Sequence, residues 1–344
     1  NTVVPFADAA YYRHRPTIGI PESQVLKLDD HFGLNPGMSG FQKLWQNNQL
    51  AIIHGCGYER PSYSHFTSMA YWHTGAPNGG DEFGWMGRTA DVMRSKQAED
   101  MIINVGSTQS LAVKSAIHTP LVFDDPMRFQ RSYWMNQVDF SSSEEPTYKS
   151  SNHEFLKAVD VSAKSSARRI RKAWSDYETN VDYGIVPMDL PKVASCIDAG
   201  LETQLYHVSF RNNAFDTHVQ QPNLHRRLLS YASDAIFGFV NDLKRLGHAD
   251  RVVVMVYSEF GRRVPENANL GTDHGSANNM FFIGNRVNGG HYGVLPSLVN
   301  LIDSGNLAFT TDFRQVYATA IEDWLKADSK KVLKGTFERF PIFA

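Results

Sequence analysis

Short apolar runs separated by longer amphipathic stretches recur along this chain. Val252 to Tyr257 is a run of apolar, largely β-branched residues without Gly or Pro, too short for a helix and suited to a strand buried on both faces. Leu50-Ala51-Ile52-Ile53 predicts a brief buried strand stopping at His54-Gly55-Cys56-Gly57. Met101–Val105, Thr203–Phe210 and Asn279–Gly284 read as further short strands. Helical spacing lies between them: Met38–Asn47, Arg88–Lys96, a long amphipathic stretch from Leu224 to Leu246 closed by Gly247, and Phe313–Lys326. Strand and helix in alternation predict an α/β fold with a parallel sheet.

Two stretches depart from that rhythm. Residues 1–40 are punctuated by Pro and Gly, which prevents long regular elements. From about 120 to 200 the chain carries a Ser- and Glu-rich tract at Ser141–Pro146 and a polar helical pattern from Asn152 to Asn180, with a basic cluster at Arg168, Arg169, Arg171 and Lys172. It reads as a helical cap inserted into a single domain spanning 1–344, with the basic cluster as a solvated helix face or a rim that attracts anions.

Composition narrows the function classes. Of 344 residues, 42% are hydrophobic and 20% charged, enough apolar material for a substantial core. A formal net charge of -2 argues against nucleic acid as a partner. No apolar stretch is long enough to span a membrane. Cys56 and Cys196 read as two buried thiols, with a disulfide between them left open. The chain starts at Asn1-Thr2-Val3-Val4-Pro5 without Met, as a processed or partial product would.

Polar residues follow the strands. Ser258, Glu259, Gly261, Arg262 and Arg263 come directly after the Val252 run, and Thr272-Asp273-His274-Gly275 shortly afterwards. Phe215-Asp216-Thr217-His218 follows the Thr203 strand. Ligands in open α/β sheets sit beyond the carboxyl ends of strands, so this is where chemistry is expected. Asp216, His218, Glu259, Asp273 and His274 are oxygen and imidazole donors of the kind found in Zn, Mn or Mg sites. Two such metals would polarise a phosphoryl or sulfuryl oxygen, with Arg262 or Arg263 gripping the tetrahedral anion. The same residues also suit purely structural His–Asp hydrogen bonds. Pro61 with Ser62 or Ser64 suits a helix start, where a hydroxyl either caps the helix or acts as a nucleophile.

Asn1–Pro21, His54–Gly75, Phe215–His218, Tyr257–Arg263, Gly271–Gly275 and Thr310–Leu325 together resemble the domain of unknown function 1501 family. The resemblance implies placement near the alkaline phosphatase and sulfatase superfamily: a three-layer α/β sandwich with a mostly parallel central sheet, and metal-dependent hydrolysis of phosphate or sulfate esters. It implies Ser64 as nucleophile, Asp216 with His218 as one metal-binding pair, and Asp273-His274-Gly275 as another metal-binding signature. Glu259-Phe260 departs from the Asp-His that relatives usually show, and relatives carry a further segment ahead of Asn1 whose aspartate would be a ligand. Export by the twin-arginine route, to the periplasm or beyond, is also implied. The rival expectation is a non-catalytic exported protein that binds an envelope polymer or a protein partner through the same cleft.

Overall fold

The computed structural model describes residues 1–93, 100–129, 165–210, 213–303 and 305–344. The fold is mixed α/β with several sheets. At its centre runs the strand Leu50–Gly57, buried at every position. It pairs antiparallel with Asn278–Ile283, which in turn pairs antiparallel with Val254–Val256. Its other edge takes two short parallel strands, Gly290–Tyr292 beside Ala51–Ile53 and Thr311–Asp312 beside Cys56–Gly57. This sheet is therefore mixed, where alternation of strand and helix predicted parallel pairing. A second sheet, of three strands, is wholly parallel, with Ile102–Val105 between Leu121–Phe123 and Leu205–Val208.

Side chains along the strands alternate between two cores, as the period of two requires. Leu50, Ile52, Phe281 and Ile283 pack with the helices Ser39–Gln46 and Gln221–Arg245. Ala51, Ile53, Met280 and Phe282 face the opposite core with Trp72, Trp85, Phe313 and Tyr317. The parallel sheet feeds the same two cores, Ile103 and Val105 the first, Ile102 and Leu205 the second. The two sheets thus occupy one layer.

The predicted stop at His54 is a bulge instead. The register shifts between Ile53 and Cys56, and Gly55 adopts φ 63°, with no room for a side chain beside Thr310. Only glycine takes that backbone freely, and the strand continues to Gly57 because Thr311–Asp312 resumes the pairing. The long helix begins at Gln221 rather than Leu224, with Pro222 in its first turn, and Gly247 at φ 79° follows its end. The helix Phe313–Thr319 passes into a π-helical turn at Ala320–Trp324.

Within the stretch expected to form a helical cap, 130–164 lie outside the described residues, as does most of the Asn152–Asn180 pattern's first half. The described remainder joins the main core: Phe123, Ile170, Tyr183, Leu190, Val193 and Ile197 pack against Leu229, Ile236 and Phe239. No helix among the described residues is long and apolar enough to cross a membrane.

Both cysteines are buried free thiols, and burial pushes the Cys196 thiol up to about 12. Neither should react with an aromatic disulfide reagent at neutral pH until the protein is denatured, when both should; labelling of the native protein would contradict this burial. His54 and His207 are also buried and held neutral, with pKa values pushed down to about 3 and about 4 by burial, for His54 with the help of neighbouring His291. As pH falls from about 6.5 towards 4, the unfolded chain takes up protons that these imidazoles refuse in the fold. Stability should therefore fall by up to about 1.4 kcal/mol per histidine per pH unit in that window. Denaturant midpoints at pH 7 and pH 5 test this, and a His207→Gln chain should show a shallower pH dependence.

Candidate functional site

The strands Leu205–Val208 and Val254–Val256 both run toward the same end of the fold, where the loops after them meet. Small buried groups lock these loops together. Gln221 Nε2 donates to Thr217 Oγ1 at 2.9 Å and to Thr272 Oγ1 at 2.8 Å, tying the Phe215–His218 turn to the Gly271–Gly275 turn. Gly271 lies so close to the His218 carbonyl, and Gly275 to the Arg262 backbone, that a methyl group at either would overlap it. Gly275 N–H donates to Gly261 O at 2.8 Å and Arg263 N–H to Asp273 O at 3.0 Å, so the Glu259–Arg263 loop is held antiparallel to the Asp273–Gly275 turn.

Asp216 is the hub of what these loops present. Its Oδ1 accepts from Arg262 Nη2 at 2.6 Å and lies 2.9 Å from His218 Nε2 and 3.0 Å from His274 Nε2. Its Oδ2 lies 3.3 Å from His65 Nε2. His65 comes from another element, the helix His65–Thr74, which is pinned to the Glu259 loop by the buried Ser68 hydroxyl donating to Glu259 O at 2.6 Å. The two remaining histidine edges report their tautomers. His65 Nδ1 faces Glu259 Oε1 at 2.6 Å, and His274 Nδ1 faces the Tyr63 carbonyl at 2.7 Å. Both partners are acceptors, so both Nδ1 atoms carry the hydrogen. In the neutral rings each Nε2 then directs a lone pair at the Asp216 carboxylate, and His65 Nε2 is a buried polar atom with no hydrogen-bond partner. His218 Nε2 lies only 2.9 Å from His274 Nε2, and its Nδ1 stands 3.4 Å from Asp273 Oδ1.

Such an arrangement needs positive charge at its centre. Burial would raise the Asp216 pKa, but the hydrogen bond and the charge of the Arg262 guanidinium hold it well below the usual carboxylate range. Asp273 is held low chiefly by the Asn267 amide, against burial and with help from His218 and Arg263. The donor atoms of His65, Asp216 and His274 lie within 4.8 Å of one another, close enough to share one ion.

The structure brings together Asp216, His218, Arg262, Asp273 and His274 from the sequence-derived set. Glu259 meets the cluster through His65 Nδ1, with its other oxygen accepting from Ser258 Oγ at 2.8 Å. Arg262 turns inward: Nη1 donates to Thr272 O at 2.8 Å and Nη2 to Phe215 O at 3.2 Å besides Asp216. Ser64 is exposed and is the N-cap of the His65–Thr74 helix, yet its side chain makes no capping hydrogen bond. His65 and Gln221 are absent from the sequence-derived set: a lone imidazole directly after a helix-capping serine, and a glutamine at a helix start, carry no ligand spacing.

A family model with the description "Protein of unknown function (DUF1501)" matches residues 20–337. No curated protein and no solved structure matches the chain.

If Arg262 is the main charge holding Asp216 ionised, Arg262→Met should raise the Asp216 pKa towards an ordinary carboxylate value. Carbon-detected NMR titration of the two chains reads this directly, and an unchanged Asp216 pKa would contradict the assignment.

Proposed function

The chain belongs to the DUF1501 family, and from its site geometry we propose that it is a divalent-metal-dependent hydrolase of phosphate or sulfate esters, built on an alkaline-phosphatase-like α/β layer. The observation that carries this reading is the convergence of imidazole lone pairs on one carboxylate, with His65 Nε2 left unpartnered. Lone pairs and a carboxylate repel one another unless a proton or a cation lies between them. Zn, Mn and Mg all accept oxygen donors, and imidazole favours Zn over Mg.

His65, Asp216 and His274 would hold the ion, with His218 beside them. Glu259 and the Tyr63 carbonyl would serve as the outer partners that fix the two ring orientations, as metal-bound histidines usually require. Asp273 would do the same for His218, at the longer distance of 3.4 Å. A bound divalent metal supplies Lewis acidity toward a phosphoryl or sulfuryl oxygen. Arg262 acts by keeping Asp216 ionised and oriented, since both its terminal nitrogens are used within the protein. Ser64 is the nucleophile of this reading. Its hydroxyl is free of a capping bond at the start of the helix that presents His65.

One observation favours a second reading, a non-catalytic protein that binds an envelope polymer or protein partner at this cleft. The Arg262 guanidinium already lies 2.6 Å from Asp216 and supplies positive charge to it. The two readings separate on metal. The hydrolase should retain stoichiometric Zn, Mn or Mg by elemental mass spectrometry, and Glu259→Gln should weaken the metal about 10- to 100-fold with the fold intact. Asp216→Ala, His274→Ala and Ser64→Ala should each abolish turnover of aryl phosphate or sulfate esters. Metal-free wild-type protein that cannot be reloaded would favour the binding protein, and full activity in an Asp216→Ala/His274→Ala chain would sink the hydrolase.

A further inference from the structure

Most of the large apolar side chains that this fold leaves in solvent gather around the site. Of the eleven exposed among the described residues, five lie in one excursion of the chain, 293–310: Val294, Leu295, Val299, Ile302 and Phe309. Two more flank the site itself. Phe66, 87% exposed, follows His65, and Val219, 56% exposed, follows His218. The excursion leaves the central strand after Tyr292 and returns to it at Thr311, and its sequence carries one charged residue, Asp303.

The excursion is fastened to the site loops. Asn306 Nδ2 donates to Tyr63 Oη at 3.0 Å, and Tyr63 supplies the carbonyl that faces His274. Val264 N–H, directly after Arg262 and Arg263, donates to Gly305 O at 2.9 Å, and Ser276 Oγ, directly after His274 and Gly275, donates to Leu307 O. Leu295, Leu298, Val299 and Leu307 accordingly line the same cavity as Asp216, Glu259 and Arg262. Arg263 stands at the junction. Its side chain makes no hydrogen bond or ion pair among the described residues, its Nε is buried without a partner, and its charge acts on both Asp273 and Tyr63.

We propose that the excursion and Phe66 form an apolar apron for the hydrocarbon end of an amphiphilic anion whose head is gripped by Arg263 beside the Asp216 cluster. The substrate class is then a phosphate or sulfate ester of a long alkyl chain. The word ester rests on the hydrolase reading; binding of head and tail together is tested without turnover. Two features select an amphiphile over a protein partner. An unpaired guanidinium adjoins an almost uncharged apolar surface, and a ligand that is anionic at one end and hydrocarbon at the other satisfies both. The apron also offers few polar handles, whereas protein interfaces make roughly one hydrogen bond per 100–200 Å². Ser297 Oγ already accepts from the N–H groups of Val299 at 3.2 Å and Asn300 at 3.0 Å, Thr310 Oγ1 donates to Val294 O, and His14 Nε2 lies 3.0 Å from the Leu298 carbonyl.

Isothermal titration of this chain in Mn-containing buffer tests both halves with ethylphosphonate, octylphosphonate and octyltrimethylammonium, each below its micelle concentration. Octylphosphonate should bind at least about tenfold more tightly than ethylphosphonate, a factor that about two fully buried methylene groups supply. Phe66→Ser/Val299→Ser should bring the two phosphonates within about threefold of each other. Ile117→Ser/Ile185→Ser, at exposed apolar positions outside the excursion, should keep the preference. Arg263→Gln should weaken both phosphonates about tenfold and preserve their ratio. Equal affinity for the two phosphonates would overturn the proposal, as would octyltrimethylammonium binding as tightly as octylphosphonate, or a chain-length preference that survives Phe66→Ser/Val299→Ser. Binding to phosphatidylglycerol vesicles without binding of monomeric octylphosphonate would also overturn it, making the apron a membrane-docking surface. The full pattern in protein that hydrolyses no ester would support the apron while sinking the hydrolase.

Discussion

One carboxylate sets the arrangement at the working end of this fold. Asp216 draws Arg262, His218, His274 and His65 around itself, and each is held from behind by a group chosen for its hydrogen-bonding sense. Glu259 and the Tyr63 carbonyl can only accept, which fixes the hydrogens of His65 and His274 on Nδ1 and turns the other nitrogens inward. The backbone contacts of Gly271 and Gly275 and the Gln221 amide keep three chain segments close enough for this to happen. The proposed chemistry therefore depends on donors and acceptors being unequal: several lone pairs face one point, and the metal ion of the proposed reading would resolve the excess.

Much of this was legible in the sequence, and the failures have identifiable causes. Apolar runs located every strand of the two main sheets except the short partners at Leu121–Phe123, Gly290–Tyr292 and Thr311–Asp312, which are too brief to leave a pattern. The turn signal at Gly55 reads as an end because a left-handed glycine looks the same in a stop and in a bulge; the returning Thr311–Asp312 strand distinguishes them. Alternation of strand and helix predicts parallel pairing and does not reveal that Asn278–Ile283 returns against both its neighbours.

At the site, the loops after the strands are legible because acidic residues and histidines follow directly on apolar runs, at the carboxyl ends of strands where ligands sit. Which of them touches which was not legible. Glu259 reads as one more oxygen donor until the imidazole facing it is known, and Arg262 reads as an anion grip until its two backbone acceptors are seen. His65 belongs to a segment about 150 residues earlier in the chain than Asp216, and no local spacing signals their meeting. The half-buried Val252–Tyr257 run is a case of the opposite kind. Its sequence calls for burial on both faces and pairing on both edges, and among the described residues only one of those edges is paired.

The most direct test of the metal reading is crystallographic. Crystals of this chain equilibrated with Zn or Mn, with data collected on both sides of the metal's absorption edge, should give an anomalous peak bounded by His65 Nε2, His274 Nε2 and the Asp216 carboxylate, with the Arg262 guanidinium displaced from Oδ1 or sharing it. A well-ordered site without a peak at saturating metal, with Arg262 still closed on Asp216, would contradict the central claim and make the cluster a self-neutralised binding surface.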